Sequence, residues 1–241
     1  MNKRLRKELL VWHKLDHENI LPLLGITFDF GRGNPMGMVC PWVENGNLNG
    51  YLARHNALAE ADRFRILCDV AVGLSYLHSR DVVHGDLTGS NILIDDKGKA
   101  LLADFGLSNV VSETRGPSYV TSSIGGSVRW AAPEIFRFSP DSHVSTVTTH
   151  GDVYSYGSVM LQVLSGKLPY HQLRRDSQVL IELYNGLHPP RPPQLADEYW
   201  ALIRQCWVED PSARPNIKVL SERVHRGYRA VSVAAGAYPM P

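Results

Sequence analysis

Residues 84–106, HGDLTGSNILIDDKGKALLADFG, constrain this chain more than any other stretch. The polar residues are few and rigidly spaced: Asp86, then Asn91, then Asp104 ahead of Phe105 and Gly106. Between them lie two short apolar runs, 92–94 and 100–103, separated by the turn-prone Asp95-Asp96-Lys97-Gly98. This pattern predicts a loop feeding a β-hairpin, with one acid at each end and an amide between. Two acids and an amide brought together can hold a divalent cation through hard oxygen ligands and still leave one carboxylate as a base.

The stretch resembles the catalytic loop, the following hairpin and the Asp-Phe-Gly motif of the protein-kinase superfamily. The resemblance implies that Asp86 accepts or orients the proton of a substrate hydroxyl. It also implies that Asn91 and Asp104 hold Mg²⁺ against the phosphates of ATP and that Leu93 lies under the adenine. Residues 38–46, MVCPWVENG, resemble the last small-lobe strand and the hinge, with Cys40 as gatekeeper. By that match Pro41 offers its carbonyl and Val43 its N–H to the adenine, a role open to a proline because it keeps its acceptor.

Residues 3–15 read as a helix with Leu5, Leu9, Trp12 and Leu15 on one face. Glu8 shares that face and needs a partner there, since an unpaired buried charge is expensive. The resemblance makes this the counterpart of the kinase αC helix and Glu8 the partner of a strand lysine; a helix-surface glutamate is the other reading. These 241 residues contain neither that lysine in a Val-Ala-x-Lys strand nor a Gly-rich phosphate loop. The expectation is therefore an N-terminally truncated domain. A strand near 26–30, a turn at 31–35 and a partner strand at 37–40 follow, then helices over 47–55 and 59–79. The second carries Phe64, Leu67, Val70, Ala71, Leu74 and Leu77 as its buried stripe, with Arg63 and Arg65 outward. His78 and His84 lack a third ligand at helical spacing, so His84 reads as a structural histidine beneath the loop rather than a metal ligand.

From 104 to 134 the sequence is loop-like and rich in hydroxyls, including Ser112, Thr114, Ser118, Tyr119, Thr121, Ser122 and Ser123. A loop of this length is usually functional, and it resembles an activation segment closed by Ala132-Pro133-Glu134. Asp152 precedes an apolar helix over 153–164 that Gly166 stops, which matches the buried central helix of the kinase large lobe. Residues 180–187 read as a further helix, and 206–215, CWVEDPSARP, resemble the end of tyrosine-kinase-like domains. The resemblance pairs Arg214 with Glu134 in a buried bridge. Residues 227–241 read as a frayed, disordered tail.

The fold class expected is α+β, protein-kinase-like, with a complete, mainly helical large lobe and a small lobe reduced to the αC helix and about two strands. The divisions are 1–43 for the small-lobe remnant and hinge, 44–226 for the large lobe and 227–241 for the tail. Hydrophobic residues make up 44% of the chain, enough for a real core. The net charge of +1 gives no electrostatic case for nucleic acid or an anionic membrane. Three scattered cysteines without a Cys-x-x-Cys speak against zinc or a disulfide framework. No apolar run is long enough for a signal peptide or a membrane span, and a cytoplasmic location is expected.

Three departures bear on activity. Thr88 and Ser90 stand where Ser/Thr and tyrosine kinases respectively place a cation, and Gly85 stands where an arginine commonly follows the histidine. Ser127 occupies a position that tilts specificity toward Ser/Thr substrates. The readings that result are a Ser/Thr kinase domain of the tyrosine-kinase-like group using ATP and Mg²⁺ on protein substrates, weak or inactive as this chain; a pseudokinase scaffold that binds nucleotide or protein; and, behind both, another ATP-dependent phosphotransferase. The apolar face of the first helix is expected to lie open and to promote association.

Overall fold

The structure is a computed structural model that describes residues 9, 12–28, 37–105, 127–136, 147–234 and 236. Its framework is a set of helices around two small antiparallel hairpins. Strands β1 (Gly25–Thr27) and β2 (Gly37–Val39) pair with Ile26 opposite Met38. Helices α1 (Leu48–Arg54) and α2 (Glu60–Ser79) follow. Strands β3 (Ile92–Ile94) and β4 (Ala100–Leu102) form the hairpin that the two apolar runs and the turn between them predict, with Leu93 opposite Leu101. The remaining helices are α3 (Thr149–Ser165), α4 (Asp176–Tyr184), α5 (Asp197–Cys206) and α6 (Ile217–Ala234).

The core forms where the helical periodicity demands it. All six apolar residues of the α2 stripe are fully buried, and α2 packs against α3, α6 and β4. Helix α3 is buried on every side from Gly151 to Val163, the signature of a central helix rather than a surface one. Its polar groups are satisfied internally: the Tyr156 hydroxyl donates to Leu67 O at 3.1 Å, and Trp207 Nε1 donates to Ser158 Oγ at 3.2 Å. Thr148 caps its N-terminus by accepting from Gly151 N, and Gly166 ends it in the left-handed region at φ 71°.

Several elements differ from the sequence reading. The first strand is confined to Gly25–Thr27, and α4 starts four residues earlier than the apolar run suggests. Arg63 does not point outward: it is half-buried and donates to Leu58 O and Val163 O, tying α2 to the end of α3. The tail at 227–241 is helical as far as Ala234, because Ser232 is buried and Tyr228 and Val231 pack on the core. The inward face of the first helix is not open either. Leu9, Trp12 and Leu15 are buried, and Trp12 Nε1 donates to Leu21 O at 2.8 Å. Exposed apolar surface lies instead on Leu24, Ile26, Phe28, Met38, Val39 and Trp42, around β1, β2 and the segment after them. Leu5, Glu8, the turn at 31–35 and the hydroxyls from Ser112 to Ser123 lie outside the described residues.

The Arg214–Glu134 pair is present as a bidentate bridge, Nη1 to Oε1 at 2.5 Å and Nη2 to Oε2 at 2.8 Å. Arg214 also donates to Val208 O and His150 O and has no exposed side-chain surface. Arg214→Ala would strand the Glu134 carboxylate and two carbonyls. We expect it to destabilise the chain by about 3–5 kcal/mol, read as a lower urea midpoint at unchanged m-value; a loss below about 1 kcal/mol would contradict the buried-bridge description.

Candidate active site

The site is built where the segment 84–91 is clamped from below and stitched to the β3–β4 hairpin. Asp152, in the first turn of α3 and 2% exposed, is the clamp. Its Oδ2 accepts from His84 N at 2.9 Å, its Oδ1 from Gly85 N at 2.8 Å, and His78 Nε2 lies 2.8 Å from Oδ2. His78 is thus explained by this carboxylate rather than by a metal. Gly85 adopts φ 79°, a conformation that costs glycine little.

His84 is completely buried, as expected of a structural histidine. Asp86 N donates to its Nδ1 across a long 3.4 Å, the arrangement that puts the proton on Nε2, and Nε2 is buried with no partner among the described residues. Burial depresses the imidazole pKa against the opposing pull of Asp152, Asp86 and Asp104. A neutral ring beneath two acids follows.

Asn91 joins the loop to both acids. Its Nδ2 donates to Asp86 O at 2.8 Å and to Asp86 Oδ2 at 2.9 Å, so Asn91 holds the Asp86 carboxylate and presents Oδ1 as a remaining acceptor. Its backbone O accepts from Ala103 N at 2.9 Å. That bond brings the residue before Asp104 alongside Asn91. Asp104 itself sits at φ 54°, a strained conformation that Asp tolerates better than most residues. It keeps an open edge to solvent, yet the protein crowded around its carboxyl raises its pKa, with Asp86 adding to the rise and His84 opposing it. Phe105 packs inward with its ring centroid 5.0 Å from that of Trp12.

The segment 40–47 borders the same hairpin. Asn45 N donates to Ile94 O and Ile94 N to Gly46 O, and Leu93 beside them is half-buried. Among the described residues, neither Pro41 O nor Val43 N–H takes part in a backbone hydrogen bond. Cys40 is close enough to Asp104 for the carboxylate to add to the burial that raises its thiol pKa.

The cation positions are accounted for. Thr88 is buried and its Oγ1 accepts from Ser90 N at 3.2 Å, while Ser90 Oγ accepts from Asn49 Nδ2 at 2.9 Å. Neither side chain brings a positive charge to the loop. Opposite it, residues 127–132 are held by Arg129, which donates to Pro169 O, Tyr170 O and Leu173 O, and by Trp130, whose Nε1 donates to Gln162 Oε1. Sequence reasoning placed Asp86, Asn91 and Asp104 together, but missed Asn49, Trp130 and Gln162. No spacing rule links those three, since they come from three separate elements.

No cluster of three or more His, Cys, Asp or Glu side chains suited to a metal exists among the described residues. One carboxylate, one amide oxygen and phosphate oxygens are nevertheless what Mg²⁺ usually takes, with water completing its shell. The raised pKa of Asp104 is what a nearby cation would relieve, so the residues present fit such an ion.

Residues 1–224 match the protein tyrosine and serine/threonine kinase family. Serine/threonine-protein kinase STY17 of Arabidopsis thaliana is 28% identical over 96% of this chain and 38% of its own length. Serine/threonine-protein kinase 12 of the same plant is 31% identical over 94% of this chain and 49% of its own length. The human tyrosine-protein kinase Srms is 31% identical over 93% of this chain and 44% of its own. The chain belongs to the protein tyrosine and serine/threonine kinase family. It spans less than half the length of these relatives.

A raised carboxylate pKa means that the folded state holds the proton more tightly than the unfolded one. The contribution of Asp104 to stability is therefore most favourable below the ordinary carboxylate range and is lost as pH rises through the folded value. We expect Asp104→Asn to raise Tm at pH 7–8, with the gain shrinking as pH falls through the raised folded value and vanishing below about 4. A Tm that drops at pH 7 would show the carboxylate to be paired rather than penalised.

Proposed function

We propose that this chain is the phosphotransfer domain of a Ser/Thr protein kinase, directing the γ-phosphate of ATP to Ser or Thr hydroxyls of proteins. The observation that carries the reading is the pair of bonds from Asn91 to Asp86 combined with the Asn91–Ala103 backbone bond, which together set base and acid side by side. Asp86 would take the proton of the attacking hydroxyl on its carboxylate, in the orientation that Asn91 fixes. Asn91 and Asp104 would hold Mg²⁺, whose charge, when bound, offsets that of the phosphates. Pro41 O and Val43 N–H would orient the adenine over Leu93. Ser127, in the segment that Arg129 pins, supports hydroxyl rather than phenol acceptors.

We propose divisions at 1–43 for a hinge-bearing N-terminal part, 44–226 for a helical large lobe and 227–241 for the end of the chain, with α6 carrying the lobe on to Ala234. No helix among the described residues is long and apolar enough to cross a membrane, and we propose a cytoplasmic setting. The apolar group around Trp42, which is 85% exposed, favours association of the isolated chain.

A second reading has its own observation. Thr88 is turned inward and Ser90 is engaged by Asn49, so the loop offers the transferring phosphate no cation. That arrangement suits a pseudokinase that binds nucleotide or protein. Losing one electrostatic contact of this kind commonly lowers the rate by about 10²–10³, and the Gly-rich loop and strand lysine are not among these 241 residues. We expect negligible ³²P transfer from ATP by the purified chain. Robust transfer to a Ser/Thr protein, abolished by Asp86→Ala, would overturn the expectation of weakness and establish the catalytic role of Asp86.

A further inference from the structure

The catalytic segment and the segment 127–132 are joined by a line of side chains that crosses the centre of the molecule. Trp130 Nε1 donates to Gln162 Oε1 at 3.0 Å, Gln162 Nε2 donates to Asn49 Oδ1 at 2.6 Å, and Asn49 Nδ2 donates to Ser90 Oγ at 2.9 Å. The direction of every bond follows from one group. An indole N–H can only donate, so Gln162 must turn its oxygen to Trp130 and its NH₂ to Asn49. Asn49 must then turn its oxygen to Gln162 and its NH₂ to Ser90. One donor-only residue orients two amides and leaves the Ser90 hydroxyl hydrogen free for an acceptor.

Gly89 shows how closely this line is fitted to the loop. A Cβ there would lie 2.2 Å from Asn49 Oδ1 and 2.8 Å from both Gln162 side-chain polar atoms. The amides occupy the space that any other residue at this position would need. Gly89 O also accepts from Asn49 N at 3.2 Å, so α1 grips the loop by backbone and side chain together. Gln162 is 2% exposed and Trp130 3%. Buried polar networks of this kind stabilise only when each member is satisfied, so loss of one member is felt along the line.

We propose that Gln162 is a positioning residue: through Trp130 on one side and Asn49 and Ser90 on the other, it couples the placement of residues 127–132 to that of the catalytic loop. The proposal rests on the kinase reading only for what the two segments do; the coupling itself requires no phosphotransfer.

The Trp130 indole N–H, assigned in a ¹⁵N spectrum by its loss in Trp130→Phe, reports the coupling in the full chain. Ser90→Ala changes an exposed hydroxyl that does not touch Trp130. We expect it to shift that resonance and to speed indole hydrogen exchange by about three- to tenfold, the equivalent of one weakened hydrogen bond. Asn49→Ala should do the same, and Ser90→Ala should add nothing in a Gln162→Leu background. An unchanged Trp130 signal in both Ser90→Ala and Asn49→Ala would overturn the proposal, as would an equal Ser90→Ala effect with Leu at 162. A chain devoid of kinase activity still gives these answers, so failure of the functional reading is told apart from failure of the coupling.

Discussion

The Asp152 carboxylate is the interaction on which the rest of the site depends. A buried acid is costly unless its oxygens are fully engaged, and here two backbone N–H groups of the catalytic segment and the His78 ring engage them. Because Asp152 begins the most deeply buried helix of the chain, the loop inherits the rigidity of the core. His84 fills the space beneath the loop, and an Nε2 with no partner among the described residues is the cost of that placement. Asn91 then transmits the fixed backbone to the Asp86 carboxylate, and the bond to Ala103 extends it to Asp104.

The opposing face is held by similar means. Arg214 and Glu134 anchor one end of the segment that follows residue 127, Arg129 anchors its middle on three carbonyls, and Trp130 enters the core to meet Gln162. Charge is used for structure here, not for substrate: both arginines spend their donors on backbone and carboxylate groups. The catalytic loop itself carries acids and amides but no cation.

Much of this was legible in the sequence. The α2 stripe follows from an apolar period of 3.6 and the β3–β4 hairpin from two short apolar runs around a turn, and the Arg214–Glu134 bridge and the grouping of Asp86, Asn91 and Asp104 follow from motif resemblance. What escaped has physical reasons. The helical period places Arg63 outward, yet carbonyls at the ends of two helices draw its long stem in. Residues 227–234 lack a strong pattern, but contact with the core keeps them helical. The line from Trp130 to Ser90 joins residues far apart in the chain, and only the packing of α1 and α3 around Gly89 brings them together.

We propose that Asn91 and Asp104 form a cation-dependent nucleotide site on a loop fixed by Asp152. Calorimetric titration of ATP with Mg²⁺ and with excess EDTA tests it most directly. Binding should be clearly tighter with Mg²⁺, and Asn91→Ala and Asp104→Ala should each remove that increment while leaving the residual metal-free binding unchanged. Equal affinity with and without Mg²⁺, or an increment that survives both substitutions, would contradict the account.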